Sequence, residues 1–407
     1  MKCRHCGEAL RQQVADLGLA PISNHYPLYP EAKEDQITFP LIVFVCEACW
    51  LVQTKISIPA ETIFAADYPY FSSMSASWMK HSKDFAQSMR MQLDLSNSSL
   101  VVEIGSNDGY LLRNFQEMEI PCVGVEPTLS TALISKNLGI PTKNSFFGRE
   151  VAEEIVEEYG LANLIIANNV LAHVPDINDF VAGMVTGLHP DGVISIEFPH
   201  ILQLIRSLQF DTIYHEHYSY FSLIAVTNIF AHFKLRVFDV EKFSTHGGSL
   251  RVRACHLESI HQTQPNVRVI LQEEKDADLN SATGYSQFQS QIDKVKDDFN
   301  TFLMSLKMRG DKLYAYGAAA KGVTFLNFCD VTSEDIECVF DLAPLKQNHH
   351  LPVSNIPIHS PDEIPFLKPG YLLILPWNIK EEVIHQQNQV RAWGGKFITA
   401  VPKVELW

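Results

Sequence analysis

Residues 100–112 read Leu-Val-Val-Glu-Ile-Gly-Ser-Asn-Asp-Gly-Tyr-Leu-Leu: an apolar strand runs into a glycine-bearing turn and leaves it as a helix. Gly105 and Gly109 let the backbone approach a ligand, while the spacing departs from Gly-x-Gly-x-x-Gly because Asn107 stands where a second glycine would be. Residues 121–126, Pro-Cys-Val-Gly-Val-Glu, predict a second strand ending on the carboxylate of Glu126, 17 residues past Gly109. A carboxylate at that place grips the ribose hydroxyls of a nucleoside.

The same alternation continues along the chain. Residues 163–168 predict a third strand, which runs into Asn169-Val-Leu-Ala-His173-Val-Pro-Asp176. A helix over 177–188 follows, with Asp176 as its N-cap, and Asp191-Gly192 turns into a strand over 193–197. Repeated β/α units imply a doubly wound parallel sheet whose ligand lies at the carboxyl ends of the strands, where the loops just quoted gather. A second such pattern lies near the C-terminus. Phe288, Ile292, Val295, Phe299, Phe302 and Leu306 recur every three or four residues, so 286–308 reads as an amphipathic helix stopped by Gly310. Strands at 312–316, 336–340, 371–375 and 396–399 follow, and Gly317-Ala-Ala-Ala-Lys-Gly322 opens a helix. Small residues at a helix N-terminus beside Lys321 suit a phosphate, because free amides and the helix dipole favour negative charge there.

The 407 residues are enough for two or three domains, and 46% hydrophobic with 19% charged residues describes an ordinary globular protein. A net charge of −15 argues against broad binding to nucleic acid or to an anionic membrane. No apolar run approaches the length of a membrane span, and Met-Lys-Cys-Arg-His-Cys is no secretory signal, so a cytoplasmic protein is expected. Four of the eight cysteines form Cys3-x-x-Cys6 and Cys46-x-x-Cys49. Two such knuckles complete a closed tetrahedral thiolate site for a structural zinc ion, with no open position for water. Cys122, Cys255, Cys329 and Cys338 stand singly and read as small core residues.

Residues 211–221, Asp-Thr-Ile-Tyr-His-Glu-His-Tyr-Ser-Tyr-Phe, crowd two histidines, a carboxylate and three phenols into a short span. On an extended segment His215 and His217 share a face, whereas on a helix they point about 200° apart. The cluster is therefore a metal site, an acid/base site or a polar strand end whose histidines are merely hydrogen-bonded at their tips. The strong metal signature lies elsewhere, and His-Glu-x-x-His spacing does not occur around His215.

Taken together, Glu-x-Gly-x-x-x-Gly, the distal Glu126 and Asn-Asn-Val-Leu-Ala-His-Val-Pro resemble the cofactor site of class I S-adenosylmethionine (SAM) methyltransferases. With the cysteine knuckles, Asp67-Tyr-Pro-Tyr70, Tyr-His-Glu-His, Thr245-His-Gly-Gly-Ser-Leu-Arg251 and Tyr316-Gly-Ala-Ala-Ala-Lys-Gly322, the chain is similar over nearly its whole length to sugar C-methyltransferases acting on nucleotide-linked 4-keto-6-deoxyhexoses. The resemblance implies an α/β protein of three parts: a zinc-binding domain over 1–72, a SAM-binding Rossmann-like methyltransferase domain over 73–260, and a C-terminal Rossmann-like domain over 261–407 that helps hold the nucleotide sugar. It implies SAM held by Gly105, Asn107, Gly109, Glu126, Asn168 and Asn169. Methylation at carbon needs a base beside a ketone and a donor for the enolate oxygen, and position matching gives His217 as the base and Tyr214 and Tyr68 as donors. It also gives Glu216 as the residue orienting His217 or binding a sugar hydroxyl, and His173 where SAM and substrate meet. Tyr70, His215, His246, Arg251 and Lys321 are expected on the substrate side, with Arg251 and Lys321 suited to phosphate. The expected state is a monomer or weak homo-oligomer. O- or N-methylation, an NAD-dependent nucleotide-sugar oxidoreductase and a non-catalytic nucleotide-binding scaffold are the competing readings of two Rossmann-like units.

Overall fold

The computed structural model describes residues 1–407 except 33, 57, 64–71 and 75, and at 74, 76 and 77 it describes the backbone alone. The N-terminal chain pairs three strands antiparallel: β1 (Gln12–Ala20), β2 (Phe39–Val45) and β3 (Val52–Thr54). Cys46 and Cys49 lie in the turn between β2 and β3, opposite the Cys3–Cys6 knuckle. The Sγ atoms of Cys3 and Cys49 are 3.6 Å apart and those of Cys6 and Cys46 3.5 Å apart, and all four lie within 4.8 Å of one another. Bonds of about 2.3 Å to one tetrahedral zinc place sulfurs about 3.8 Å apart, so the donor set and its spacing fit the ion. Gln53 donates from Nε2 to the Cys3 sulfur at 3.2 Å, an outer-shell contact that orients the ligand.

The middle of the chain contributes β4 (Val101–Ile104), β5 (Cys122–Val125), β6 (Thr142–Lys143), β7 (Ala162–Asn168), β8 (Leu188–Pro199), β10 (Leu235–Phe243) and β11 (Ser249–His256), while β9 (Ser219–Tyr220) leaves to join β3. The seven-stranded sheet runs β10-β11-β8-β7-β4-β5-β6. Strands β4 to β8 are parallel and β11 is antiparallel to β8. All four residues of β4 and of β5 are buried, as strands covered by helices on both faces must be. Asp176 caps the helix Ile177–Gly187, accepting from the backbone N–H of Asn178 and Asp179 at 3.1 and 3.0 Å, as its position in the sequence predicts. The order reverses between β4 and β7, opening a crevice beyond their carboxyl ends.

The C-terminal sheet runs β14-β13-β12-β15-β16-β17, from β12 (Leu313–Tyr316), β13 (Val339–Phe340), β14 (Ile358–His359), β15 (Tyr371–Ile374), β16 (Lys396–Thr399) and β17 (Glu405–Leu406). The first five are parallel and β17 is antiparallel. The helix Phe288–Arg309 precedes it and ends at Gly310, whose φ of 71° supplies the left-handed cap. The strand expected over 336–340 shortens to β13.

The N-terminal sheet shares its apolar residues with the cores of both larger units. Val14, Leu17, Leu41 and Val43 pack with Phe288, Ile292 and Phe299 of the C-terminal unit. Cys3, Cys46, Cys49 and Leu51 pack with Leu223, Val226 and Phe230 of the middle one. Among the described residues, no helix is long and apolar enough to cross a membrane.

Because the zinc site anchors a sheet wedged between two larger units, loss of the metal should loosen both. Cys46→Ser is expected to abolish bound zinc by elemental analysis and to lower Tm on the order of 10 °C, since a structural zinc supplies about 10–16 kcal/mol in isolated peptides. Loss of zinc at unchanged Tm would contradict this.

Candidate active site

The cofactor crevice begins at the turn after β4. Gly105, Asn107 and Gly109 all have left-handed backbones, with φ of 67°, 50° and 80°. A Cβ on Gly105 would stand 2.5 Å from Val170 Cγ2, so that position admits no side chain without movement of the loop after β7. Glu126, at the end of β5, accepts from the backbone N–H of Asn107 and of Thr128, each at 2.9 Å. Burial raises its pKa and those N–H groups pull it back. A carboxylate has about four lone-pair sites, so acceptor capacity for ribose hydroxyls is left. Beyond the ends of β4 and β7, the buried side-chain oxygens Asp108 Oδ1, Asn168 Oδ1 and Asn169 Oδ1 have no hydrogen-bond partner among the described residues. Buried acceptors in want of donors, beside a ribose-type carboxylate, fit the amino and hydroxyl groups of SAM.

The histidine cluster is neither strand nor helix. It is a turn between the short helix Phe210–Thr212 and β9, closed by the His217 N–H donating to the Tyr214 carbonyl at 2.9 Å. The two histidines consequently part company. His215, 1% exposed, donates from Nδ1 to the Pro21 carbonyl at 3.3 Å and packs edge-on to Phe39. His217 donates from Nδ1 to the Thr212 carbonyl at 2.8 Å, which fixes the neutral tautomer with the lone pair on Nε2. Its ring lies 4.1 Å from that of Tyr214 and 4.7 Å from that of His173. His173 in turn donates from Nδ1 to the Glu216 carbonyl at 2.9 Å. Burial holds His173 down to about 4, and burial with neighbouring His173 holds His217 well below the ordinary histidine value. Among the described residues, the four cysteines are the one group spaced to hold a metal. The cluster over 215–220 has no such spacing.

Two placements bear on the expected roles, one of them on the orienting alternative for Glu216 alone. The group orienting His217 is the Thr212 carbonyl, whereas the Glu216 carboxylate accepts from Asn24 Nδ2 at 2.7 Å in the N-terminal unit. Arg251 is 5% exposed, with Nη2 2.8 Å from Glu197 Oε2, and its guanidinium lies over Phe85 and Phe243. An arginine so enclosed and paired is committed within the protein and is unsuited to a phosphate. Burial alone would raise the Glu197 carboxyl, but His81 and Arg251 hold it below its ordinary value.

Lys321, from the C-terminal unit, lies near enough to the histidines to act on them electrostatically. Nζ donates to Asn378 Oδ1 at 2.7 Å and lies 4.7 Å from the centre of the Trp377 ring. Burial lowers its pKa and Asp211 opposes this. Its charge is felt at both His217 and His246. His246 adopts φ of 54° and meets Trp78 edge-on at 5.6 Å, and burial brings it down to about 4. Gly317 sits at φ of 89°, where a Cβ would strike Pro376 at 2.5 Å, so close packing accounts for this glycine. Tyr68 and Tyr70 lie outside the described residues.

Sequence reasoning passed over Asp108, His81, Glu197, Thr212, Asp211, Trp377 and Asn378. Trp377 and Asn378 lie three and four residues past the end of β15, at the carboxyl end of a parallel strand, and the rule that finds ligand loops there would have marked them.

Residues 3–64 match the family of a zinc binding domain, 81–240 that of a methyltransferase domain, and 244–402 that of the C-methyltransferase C-terminal domain. The chain is 33% identical over 402 residues to the C-methyltransferase NovU of Streptomyces niveus, spanning 99% of this chain and 96% of that protein. Among solved structures, a SAM-bound magnesium protoporphyrin IX methyltransferase from Synechocystis is 12% identical, with 50% of this chain and 100% of that one covered at a TM-score of 0.35. A SAM-dependent methyltransferase from Anabaena variabilis is 13% identical, with 43% and 84% covered at the same TM-score. Identity to NovU along the whole chain, over a crevice fit for the cofactor and a closed thiolate site, establishes that the chain belongs to the SAM-dependent C-methyltransferases.

Proposed function

We infer that the chain methylates C3 of a nucleotide-linked 4-keto-6-deoxyhexose through an enolate. The observation that carries this reading is the neutral His217, whose Nδ1–H is engaged by Thr212 and whose Nε2 lone pair is left to take a proton, against Tyr214 and His173. A 4-ketone acidifies the C3–H, and His217 Nε2 receives that proton as the C–H electron pair moves into the enolate. Tyr214 donates a hydrogen bond to the oxygen that gains charge, and buried Lys321 adds a positive field that reaches His217. When bound, SAM supplies a methyl group already activated on sulfonium. The proton held by His217 leaves to solvent after transfer. His246 and Lys321 lie on the substrate side, with Lys321 suited to the diphosphate. A cavity of about 540 Å³ is bounded by Gln209, Gly247, Trp377 and Asn378, the last two in contact with Lys321, and has room for part of a nucleotide.

Three outcomes are expected. With SAM and a panel of nucleotide-linked 4-keto-6-deoxysugars, mass spectrometry should find product heavier by one methylene; turnover of none of them, with SAM bound, would sink the substrate assignment. His217→Ala should lower kcat about 10²–10⁴-fold at unchanged SAM affinity, and a parallel loss of SAM binding would make His217 a cofactor or folding residue instead. Because burial holds His217 well below the ordinary value of 6.5, its neutral form prevails at neutral pH and is lost only as pH falls through that lowered pKa. The acid limb of kcat/KM attributable to His217 should therefore lie below 6.5, and a limb above it that vanishes in His217→Ala would contradict the assignment.

A further inference from the structure

One buried contact between the middle and C-terminal units has no part in the chemistry above. Asp211 is 1% exposed, and its Oδ2 accepts from the Trp377 indole N–H at 2.6 Å, while Oδ1 has no hydrogen-bond partner among the described residues. A carboxylate taken so far out of water is costly and calls for a reason. Burial lifts its pKa to about 6, moderated by Lys321.

The reason lies in what Asp211 joins. On one side it immediately precedes Thr212, whose carbonyl sets the His217 tautomer at 2.8 Å. On the other it holds Trp377, whose ring supports the Lys321 ammonium and whose neighbour Asn378 accepts from it. The short helix Phe210–Thr212 is clamped against the C-terminal unit a second time, with the Phe210 ring 5.0 Å from Phe328 and 6.0 Å from Phe325. The carbonyl that orients the base is thus held by the unit that carries Lys321.

We propose that Asp211 is a positioning residue: through its hydrogen bond with Trp377 it fixes the Thr212 carbonyl and so links the substrate-side lysine of the C-terminal unit to the tautomer of His217. This rests on the reading of His217 as the base. If the helix Phe210–Thr212 shifts, the Thr212 carbonyl leaves the His217 Nδ1–H, the proton moves to Nε2 in part of the population, and that part has no lone pair to receive the C3 proton. The Trp377 ring supports the Lys321 ammonium and its indole N–H holds Asp211, so occupancy of the C-terminal unit and readiness of the base are coupled through one hydrogen bond.

The test uses the full chain with zinc bound. Trp377→Phe and Asp211→Ala are each expected to lower kcat about 10²-fold, the scale of a misplaced catalytic group, with SAM affinity unchanged. Asp211→Asn keeps an acceptor for the indole and should recover most of that rate. In ¹⁵N-histidine NMR without substrate, His217 should be the Nδ1–H tautomer in the wild type and in Asp211→Asn, and a mixture in the other two. The double variant should be no slower than its slower parent. Equal losses in Asp211→Asn and Asp211→Ala, full rate in Trp377→Phe or in Asp211→Ala, or lost rate with an unaltered tautomer would each overturn the proposal. If Asp211→Ala does not fold, Trp377→Phe decides the matter alone. The tautomer is read without any sugar nucleotide, so failure of the substrate assignment and failure of the positioning role give different results.

Discussion

Residues 210–221 are bonded to all three units at once, and the path of the turn depends on those bonds. Tyr220 and Ser219 pair with Val52 and Gln53 of β3 beside the zinc site, and the Tyr218 N–H donates to the Ala172 carbonyl of the methyltransferase unit at 2.8 Å. Trp377 donates to Asp211 from the C-terminal unit at 2.6 Å. Glu216 adds a second path outward, through Asn24 to the Tyr26 hydroxyl, which donates to the Ala318 carbonyl at 2.8 Å beside Lys346. A turn in free solution would populate many backbones. Here the neighbours leave it one, and that one places His217 between Tyr214 and His173.

The same enclosure sets the protonation states. Two histidines with rings 4.7 Å apart cannot both be charged in a dry site, and burial keeps both neutral. Each donates its Nδ1–H to a carbonyl, Thr212 for His217 and Glu216 for His173, so both tautomers follow from the backbone path of the turn. Glu197, by contrast, is paired and held charged by Arg251 and His81. The cluster therefore sets neutral imidazoles beside a buried lysine, Lys321, the balance that the proposed proton removal calls for.

Much of the fold was legible because it is written locally. The apolar run at 101–104, the left-handed positions Gly105 and Gly109, the Asp176 cap and the Gly310 stop each specify their own surroundings. The cysteine pairs were legible for the same reason, since two knuckles of fixed spacing already define a ligand set. The site was legible only in its residue types. Period-two or period-3.6 reasoning could not send His215 to Pro21 and His217 to Thr212, because a turn obeys neither period. Arg251 looked available to a phosphate because its partner Glu197 lies 54 positions away, and Asp211 drew no notice because Trp377 lies 166 positions away. Pairings of that kind are decided by how three sheets stack, which no short stretch encodes.

The central claim is that His217 removes a proton from carbon before any methyl group moves. The most direct measurement follows deuterium at C3 of the keto sugar nucleotide in D₂O with enzyme and the demethylated cofactor product in place of SAM. The account predicts that deuterium enters C3 with the wild type and does not with His217→Ala. A wild-type enzyme that methylates the sugar yet never exchanges C3, or an exchange indifferent to His217, would contradict it.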